Sequence, residues 1–246
     1  MKDIIIFGCS HSRSFKDVDI EGYNVSVKTI SGASILGLPK NHSHLSVAKE
    51  IKEKVSRSKN LGFVVIKLGQ VDIENVYLYK RHLLKPKGFR FDNFLTKVIA
   101  SYEIFLDSIR KDIDSTKIIV WGSQPPTPLD GKKVSRHYWN SMTSRLDDRA
   151  GYARIMRDSE YISDLKYDKR LARSIALNKK LKRLASKRRL KYQEVFDQLL
   201  GKDMKIDPYF EGNDYHIKGT GSSEVMHPAD PKVKAIFEAA LIEAIS

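Results

Sequence analysis

The chain has 246 residues, 41% of them hydrophobic and 30% charged, which suffices for a packed core in one substantial domain and argues against global disorder. A single cysteine excludes an intramolecular disulfide and gives no metal-ligand spacing, so neither an oxidising compartment nor a metal or other cofactor is expected. The net charge of +14 is unevenly spread, because residues 166–191 hold twelve Lys or Arg against one acid, Asp168.

In chain order, the apolar run Ile4 to Phe7 reads as a buried strand. It is too short and too early for a secretory signal, and no stretch approaches a membrane span, so a soluble cytoplasmic protein is expected. "YNVSVKTI" (23–30) alternates with period two and reads as a second strand. "GFVVIKLG" (62–69), β-branched and closed by glycine, reads as a third. From Phe94 to Ile109 apolar residues recur at helical spacing, with Asp92 as the expected N-cap. "KIIVWGSQPP" (117–126) is a fourth strand stopped by Gly122 and two prolines, and "LKYQEVFD" (190–197) a fifth. Pro231 opens a last helix.

Strands interleaved with helices predict an α/β three-layer sandwich with a mostly parallel, flavodoxin-like central sheet. No repeat or composition shift divides the chain, so residues 1–246 read as one domain. The stretch 124–165, with prolines, Tyr138, Trp139 and little periodicity, reads as an irregular insertion that serves as a lid or substrate-binding loop.

The basic segment 166–191 has apolar residues at Leu171, Ile175, Leu181 and Leu184, so it reads as a helix with one packed side and a solvated charged side. It is also the candidate surface for an anionic partner, such as an acidic glycan or an anionic membrane surface. Nucleic acid ranks last, since no aromatic residue interleaves the charges between Arg170 and Leu190.

In parallel sheets ligands bind beyond the carboxyl ends of the strands. After the first strand come Gly8, Cys9, Ser10, His11 and Ser12; after the second, Ser31 and Gly32; after the third, Gly69, Gln70 and Asp72. Late in the chain stand His216 and His227 beside acids. A serine, glycine amides and a histidine near a carboxylate are the parts of an acyl-transfer site. His11 reads as a neighbour that shapes the pocket, while His42, His44, His82 and His137 read as surface residues, and Tyr138 and Trp139 as core aromatics before sugar-stacking ones.

These blocks resemble, in order and over most of the chain, the SGNH (GDSL) hydrolase family. "FGCSHS" matches the family's first block at Gly8 and Ser10, with Cys9 where an aspartate is usual. "TISGAS" offers Gly32 for the second block. "LGQVD" matches the third at Gly69 and Asp72, with Val71 where an asparagine belongs. The sequence looks closest to a glycan-associated branch that begins F-G-x-S-H-S and carries F-G-E-I-D. The resemblance implies that Ser10 is the nucleophile, that the amides of Ser10 and Gly32 form an oxyanion hole to which Gln70 can add, and that Gly8, Gly69 and Asp72 support the site.

For the base, "NDYHI" offers His216 with Asp214, and "EVMHP" offers His227 with Glu224; His216 is favoured. The implied activity is a serine-dependent esterase or O-acyltransferase acting on an acylated carbohydrate or similar small ester. The alternative is a catalytically degraded module of the same fold that binds an anionic glycan or other polyanion through its basic helix.

Overall fold

A computed structural model describes residues 1–39, 46–128, 149–212, 216–221 and 227–246. Five strands form one sheet in the order β2-β1-β3-β4-β5, every neighbouring pair parallel. They are β1 (Lys2–Gly8), β2 (Tyr23–Thr29), β3 (Leu61–Lys67), β4 (Ile118–Trp121) and β5 (Lys191–Gln193). The fifth strand is shorter than its apolar pattern suggests, because pairing with β4 stops at Gln193 and the chain then turns away.

Alternate residues of the central strands feed two separate cores, as the period of two demands. Ile5, Phe7, Val64, Ile66, Ile118 and Val120 face one side, where they meet α1 (Val47–Arg57), α2 (Phe91–Ile109) and α5 (Tyr167–Arg188). Ile4, Ile6, Val65, Ile119 and Trp121 face the other, where Phe15 and Phe237 pack edge and face around Trp121. Phe237 belongs to α6 (Pro231–Ile245), whose first turn is capped by the Asp230 carboxylate accepting from the amides of Lys232 and Val233. The result is the predicted three-layer α/β sandwich.

Several local expectations need correction. The N-cap of α2 is Arg90, and Asp92 lies in the first turn, where its charge still complements the positive end of the helix dipole. The stretch 124–165 is not wholly irregular, since it contains α3 (Arg149–Ile155) and α4 (Ser159–Asp164), the latter capped by Asp158. Its middle, with His137, Tyr138 and Trp139, lies outside the described residues, as do His42 and His44. His82 is buried rather than superficial: its Nε2 lies 2.8 Å from an Asp164 carboxylate oxygen and its ring meets Tyr161 edge-on.

Helix α5 departs most from its pattern. Its buried side carries Leu177, Leu181 and Leu184, but also Arg170, Arg173, Ser174 and Asn178, while Ile175 is 43% exposed. The inward residues at 170, 174 and 178 recur every four positions, one stripe of a helix. Two of the twelve cations therefore sit inside the molecule, because the neighbouring segments hold acceptors for them. No helix of the described residues is long and apolar enough to cross a membrane.

Candidate active site

The chain leaves β1 on one side for β2 and later crosses to β3 on the other, so the order of the sheet reverses at β1, the place where parallel sheets generally bind ligands. The strand ends at Gly8 for a steric reason. A Cβ there would stand 2.5 Å from Ser12 Cβ and 2.7 Å from the Lys67 carbonyl oxygen, so only hydrogen fits. A 3-10 turn from Ser10 to Phe15 follows at once.

Within that turn the serines divide their work. Ser12 Oγ donates to the Cys9 carbonyl at 2.8 Å and lies 2.9 Å from Thr29 Oγ1, while Ser14 Oγ donates to the His11 carbonyl at 2.8 Å. Both knit the turn to itself and to β2. Ser10 is buried, and its hydroxyl bonds to no side chain or carbonyl among the described residues.

His11 Nδ1 lies 3.5 Å from the Cys9 thiol, and burial pushes that thiol's pKa up, so Cys9 is held as a neutral partner and not as a thiolate nucleophile. The other face of the His11 environment is His216, fully buried, with ring centroids 4.7 Å apart and planes tilted by 40°. A return of the chain brings His216 here: Glu211 bridges Ile217, the Lys218 amide donates to the Phe210 carbonyl at 3.0 Å, and Gly212 approaches the His216 carbonyl so closely that no side chain fits. His216 thus reaches the turn that carries Ser10 from more than two hundred residues away in sequence. Its expected partner Asp214, with Asn213, lies outside the described residues, as does Glu224.

His227 is exposed. Its carbonyl accepts from Lys16 Nζ, and the Ala229 amide donates to Asp17 at 3.0 Å, which ties this stretch to the loop leaving the 3-10 turn.

Gly32 occupies φ +76° in a turn closed by the Ala33 amide on the Ile30 carbonyl, while the Ile30 amide donates to the Gly8 carbonyl at 2.8 Å. That left-handed residue holds a backbone amide at the same sheet edge as Ser10 at little steric cost. Asp72, fully buried, accepts from the amides of Ile35 and Leu36 at 2.7 and 3.0 Å and so fixes the loop that follows Gly32. Burial pushes its pKa up to about 7, against the lowering effect of those hydrogen bonds. Gly69, at φ +112°, has no room for a Cβ beside Leu177 of α5.

Gln70 is buried and donates through Nε2 to Glu74 at 3.1 Å, one of its two N–H bonds. Glu74 also receives Arg170 Nη2 at 3.4 Å, and Arg170 Nη1 donates to the Thr127 carbonyl at 2.8 Å. One turn further along α5 from Ser174, Asn178 holds Ser123: its Oδ1 accepts from the Ser123 amide at 2.7 Å and from its hydroxyl at 2.8 Å, and its Nδ2 donates to the carbonyl at 2.9 Å.

Three polar residues at this sheet edge were not anticipated. Lys67, the last residue of β3, is buried with its ammonium 3.5 Å from the Gly122 carbonyl and 5.8 Å from the Phe237 ring centroid, and burial pulls its pKa down to about 8. Arg170 was hidden among the charges of a helix read as solvated. Gln124 is 1% exposed. A lysine in a β-branched run and a glutamine just beyond the fourth strand were the available signals.

No family model and no curated protein matches the sequence. Solved structures do match in fold. An aryl esterase from M. smegmatis aligns with a TM-score of 0.52 at 11% identity, over 99% of this chain and 100% of that one. A carbohydrate acetylesterase from Sinorhizobium meliloti aligns with a TM-score of 0.50 at 12% identity, over 99% of both. An acetyl-xylooligosaccharide esterase from Geobacillus aligns with a TM-score of 0.50 at 11% identity, over 100% of this chain and 94% of that one. The chain has the α/β fold of these esterases.

Proposed function

We propose that the protein is a serine-dependent esterase or O-acyltransferase that acts on an acylated carbohydrate or a similar small ester, with Ser10 as nucleophile and His216 as base. The observation that carries this reading is the pairing of a hydroxyl uncommitted among the described residues, at the switch point of the sheet, with a buried histidine whose ring lies 4.7 Å from that of the neighbouring His11. Esterases acting on acetylated carbohydrates are among the structures of the same fold, which supports the substrate class by analogy.

The chemistry runs as acyl transfer. Ser10 Oγ attacks the ester carbonyl while His216 takes its proton, and the carbonyl oxygen, now negative, is held by the amides of Ser10 and Gly32 and by the second N–H of Gln70. The tetrahedral intermediate expels the alcohol, which receives the proton from the imidazolium, and leaves an acyl-serine. Water then completes hydrolysis, or a sugar hydroxyl completes transfer, with His216 again moving the proton. Asp214 is the residue assigned to orient the imidazole, with Glu224 and His227 as the alternative pair. Gly8, Gly69 and Asp72 hold the loops in position, and the segment 124–165 covers the substrate.

The test is intact mass after a fluorophosphonate probe. Wild type should gain one adduct that is lost in both Ser10→Ala and His216→Ala and kept in His227→Ala. Absence of labelling beside a reactive control hydrolase would overturn the reading.

A second reading, a polyanion-binding module, is favoured by one feature of α5: Lys179, Lys180, Lys182 and Arg183 form no ion pair among the described residues, whereas Lys187 and Arg188 pair with Glu103. Retention on heparin that weakens steeply with salt and survives Ser10→Ala would support it.

A further inference from the structure

Buried amides normally find partners, and each exception in a folded protein asks for a reason. Gln124 is such an exception. Its side chain is 1% exposed, yet neither Oε1 nor Nε2 has a hydrogen-bond partner among the described residues. Oε1 of Gln70, 4% exposed, and Oγ of Ser174, fully buried, are likewise without partners among the described residues.

The backbone brings these groups to one place. Strands β3 and β4 pair up to Ile66 and Val120, so Gln70 and Gln124 both follow the same sheet edge, and Gln70 is linked through Glu74 to Arg170 of α5. Gly8 pairs with Lys67, so Ser10 also follows the carboxyl edge, one strand over. Helix α5 clamps the stretch after β4 at both ends, through Asn178 on Ser123 and Arg170 on the Thr127 carbonyl, with Ser174 one turn from each. Gln124 lies between the two clamps. The backbone on either side of it is already held by hydrogen bonds to α5.

Charge is cancelled beside it. Glu74 meets Arg170, both buried, and Glu74 also fixes Nε2 of Gln70, which leaves the oxygen of that amide without a partner among the described residues. Asp72 is occupied by two backbone amides. What remains is a set of neutral donors and acceptors: one complete amide, one amide oxygen and one hydroxyl. Such a set matches neighbouring hydroxyl groups, which both give and take hydrogen bonds.

We propose that Gln124, with Gln70 Oε1 and Ser174 Oγ, forms a subsite beside Ser10 that hydrogen-bonds the hydroxyl groups of a neutral, hydroxyl-rich ester. Gln124 is a specificity residue in this assignment, distinct from the groups that act on the reacting carbonyl. The position of the ligand rests on the esterase reading; the orphan amide itself does not.

The test uses the full chain with Ser10→Ala, so that the ester is not consumed, and calorimetric titration with O-acetylated xylotriose. The Ser10→Ala protein should bind it, and adding Gln124→Leu should weaken binding about tenfold, the loss of one buried hydrogen bond. Because Leu removes an unsatisfied donor and acceptor, the melting temperature should stay level or rise; Gln124→Met serves if Leu does not fold. A lone structural amide gives the opposite pattern, a lower melting temperature with unchanged affinity, and that overturns the proposal. So does failure of the Ser10→Ala protein to bind the sugar ester. Hydrolysis of 4-nitrophenyl acetate by wild type is read separately: its absence would remove the esterase reading while the titration still decides the subsite.

Discussion

Replacing Lys67 with methionine should stabilise the protein at neutral pH. The ammonium of Lys67 is buried between β3 and Phe237 and has one long hydrogen bond, 3.5 Å to the Gly122 carbonyl, with no carboxylate beside it among the described residues. Burial lowers its pKa from 10.5 to about 8. At about 1.4 kcal/mol per tenfold change in proton affinity, keeping it charged below pH 8 costs the fold about 3 kcal/mol. The unfolded chain binds the extra proton between pH 8 and 10.5, so the lysine protein gains stability as pH rises through that window, and the penalty is fully present below it. Methionine fills a similar volume, and it forfeits about 1 kcal/mol for the carbonyl hydrogen bond and less than that for the ring contact. The expected net gain at pH 7 is therefore about 1–2 kcal/mol.

Urea unfolding of both proteins from pH 7 to pH 10 measures it, and the difference between them cancels every other titrating group. The difference should shrink as pH rises and change sign near the top of the range. A constant difference across pH, or a methionine variant less stable at pH 7, would refute an unpaired buried ammonium. A gain in stability with loss of esterase activity would show that the penalty is tolerated for the site's sake.

Gly8→Ala should destabilise the protein by about 1–3 kcal/mol, since the new methyl group collides with Ser12 and the Lys67 carbonyl, and should abolish probe labelling of Ser10 before unfolding sets in; chemical denaturation with parallel labelling checks both. Glu74→Ala leaves Arg170 buried without its carboxylate and should cost about 3–5 kcal/mol, much of it recovered when Arg170→Met is added, as a double-mutant cycle would reveal. His82→Ala should loosen the junction of α4 with the π-helical turn Tyr79–Leu84, raising amide exchange at both and leaving the probe reaction of Ser10 intact.

The sheet was legible because strand period and strand-ending glycines are local properties. Ile4 to Phe7 can be nothing but a doubly covered strand, and Gly8 with Ser10 could be picked out because a close-packed turn leaves its mark in residue size. The order β2-β1-β3-β4-β5 was not legible in the same way, because which strands become neighbours is settled by crossovers that span many residues. Charge was the poorer guide. A basic helix reads as solvated until the acceptors facing it are known, and Glu74 and the Thr127 carbonyl that hold Arg170 lie 96 and 43 residues away.

The same distance argument separates the rest. The sequence by itself determined the α/β sandwich and singled out Ser10 and Gly32 just beyond its strands. Only the tertiary structure decided that His216 and not the exposed His227 stacks beside His11, that Lys67 is sealed into the sheet, and that Gln124 is caught between two clamps of α5 with its amide unmatched among the described residues. Local pattern carries the energetics of neighbours a few residues apart. Burial and partnership are set by segments that meet only after the chain has folded, and no window of sequence contains both sides of such a contact.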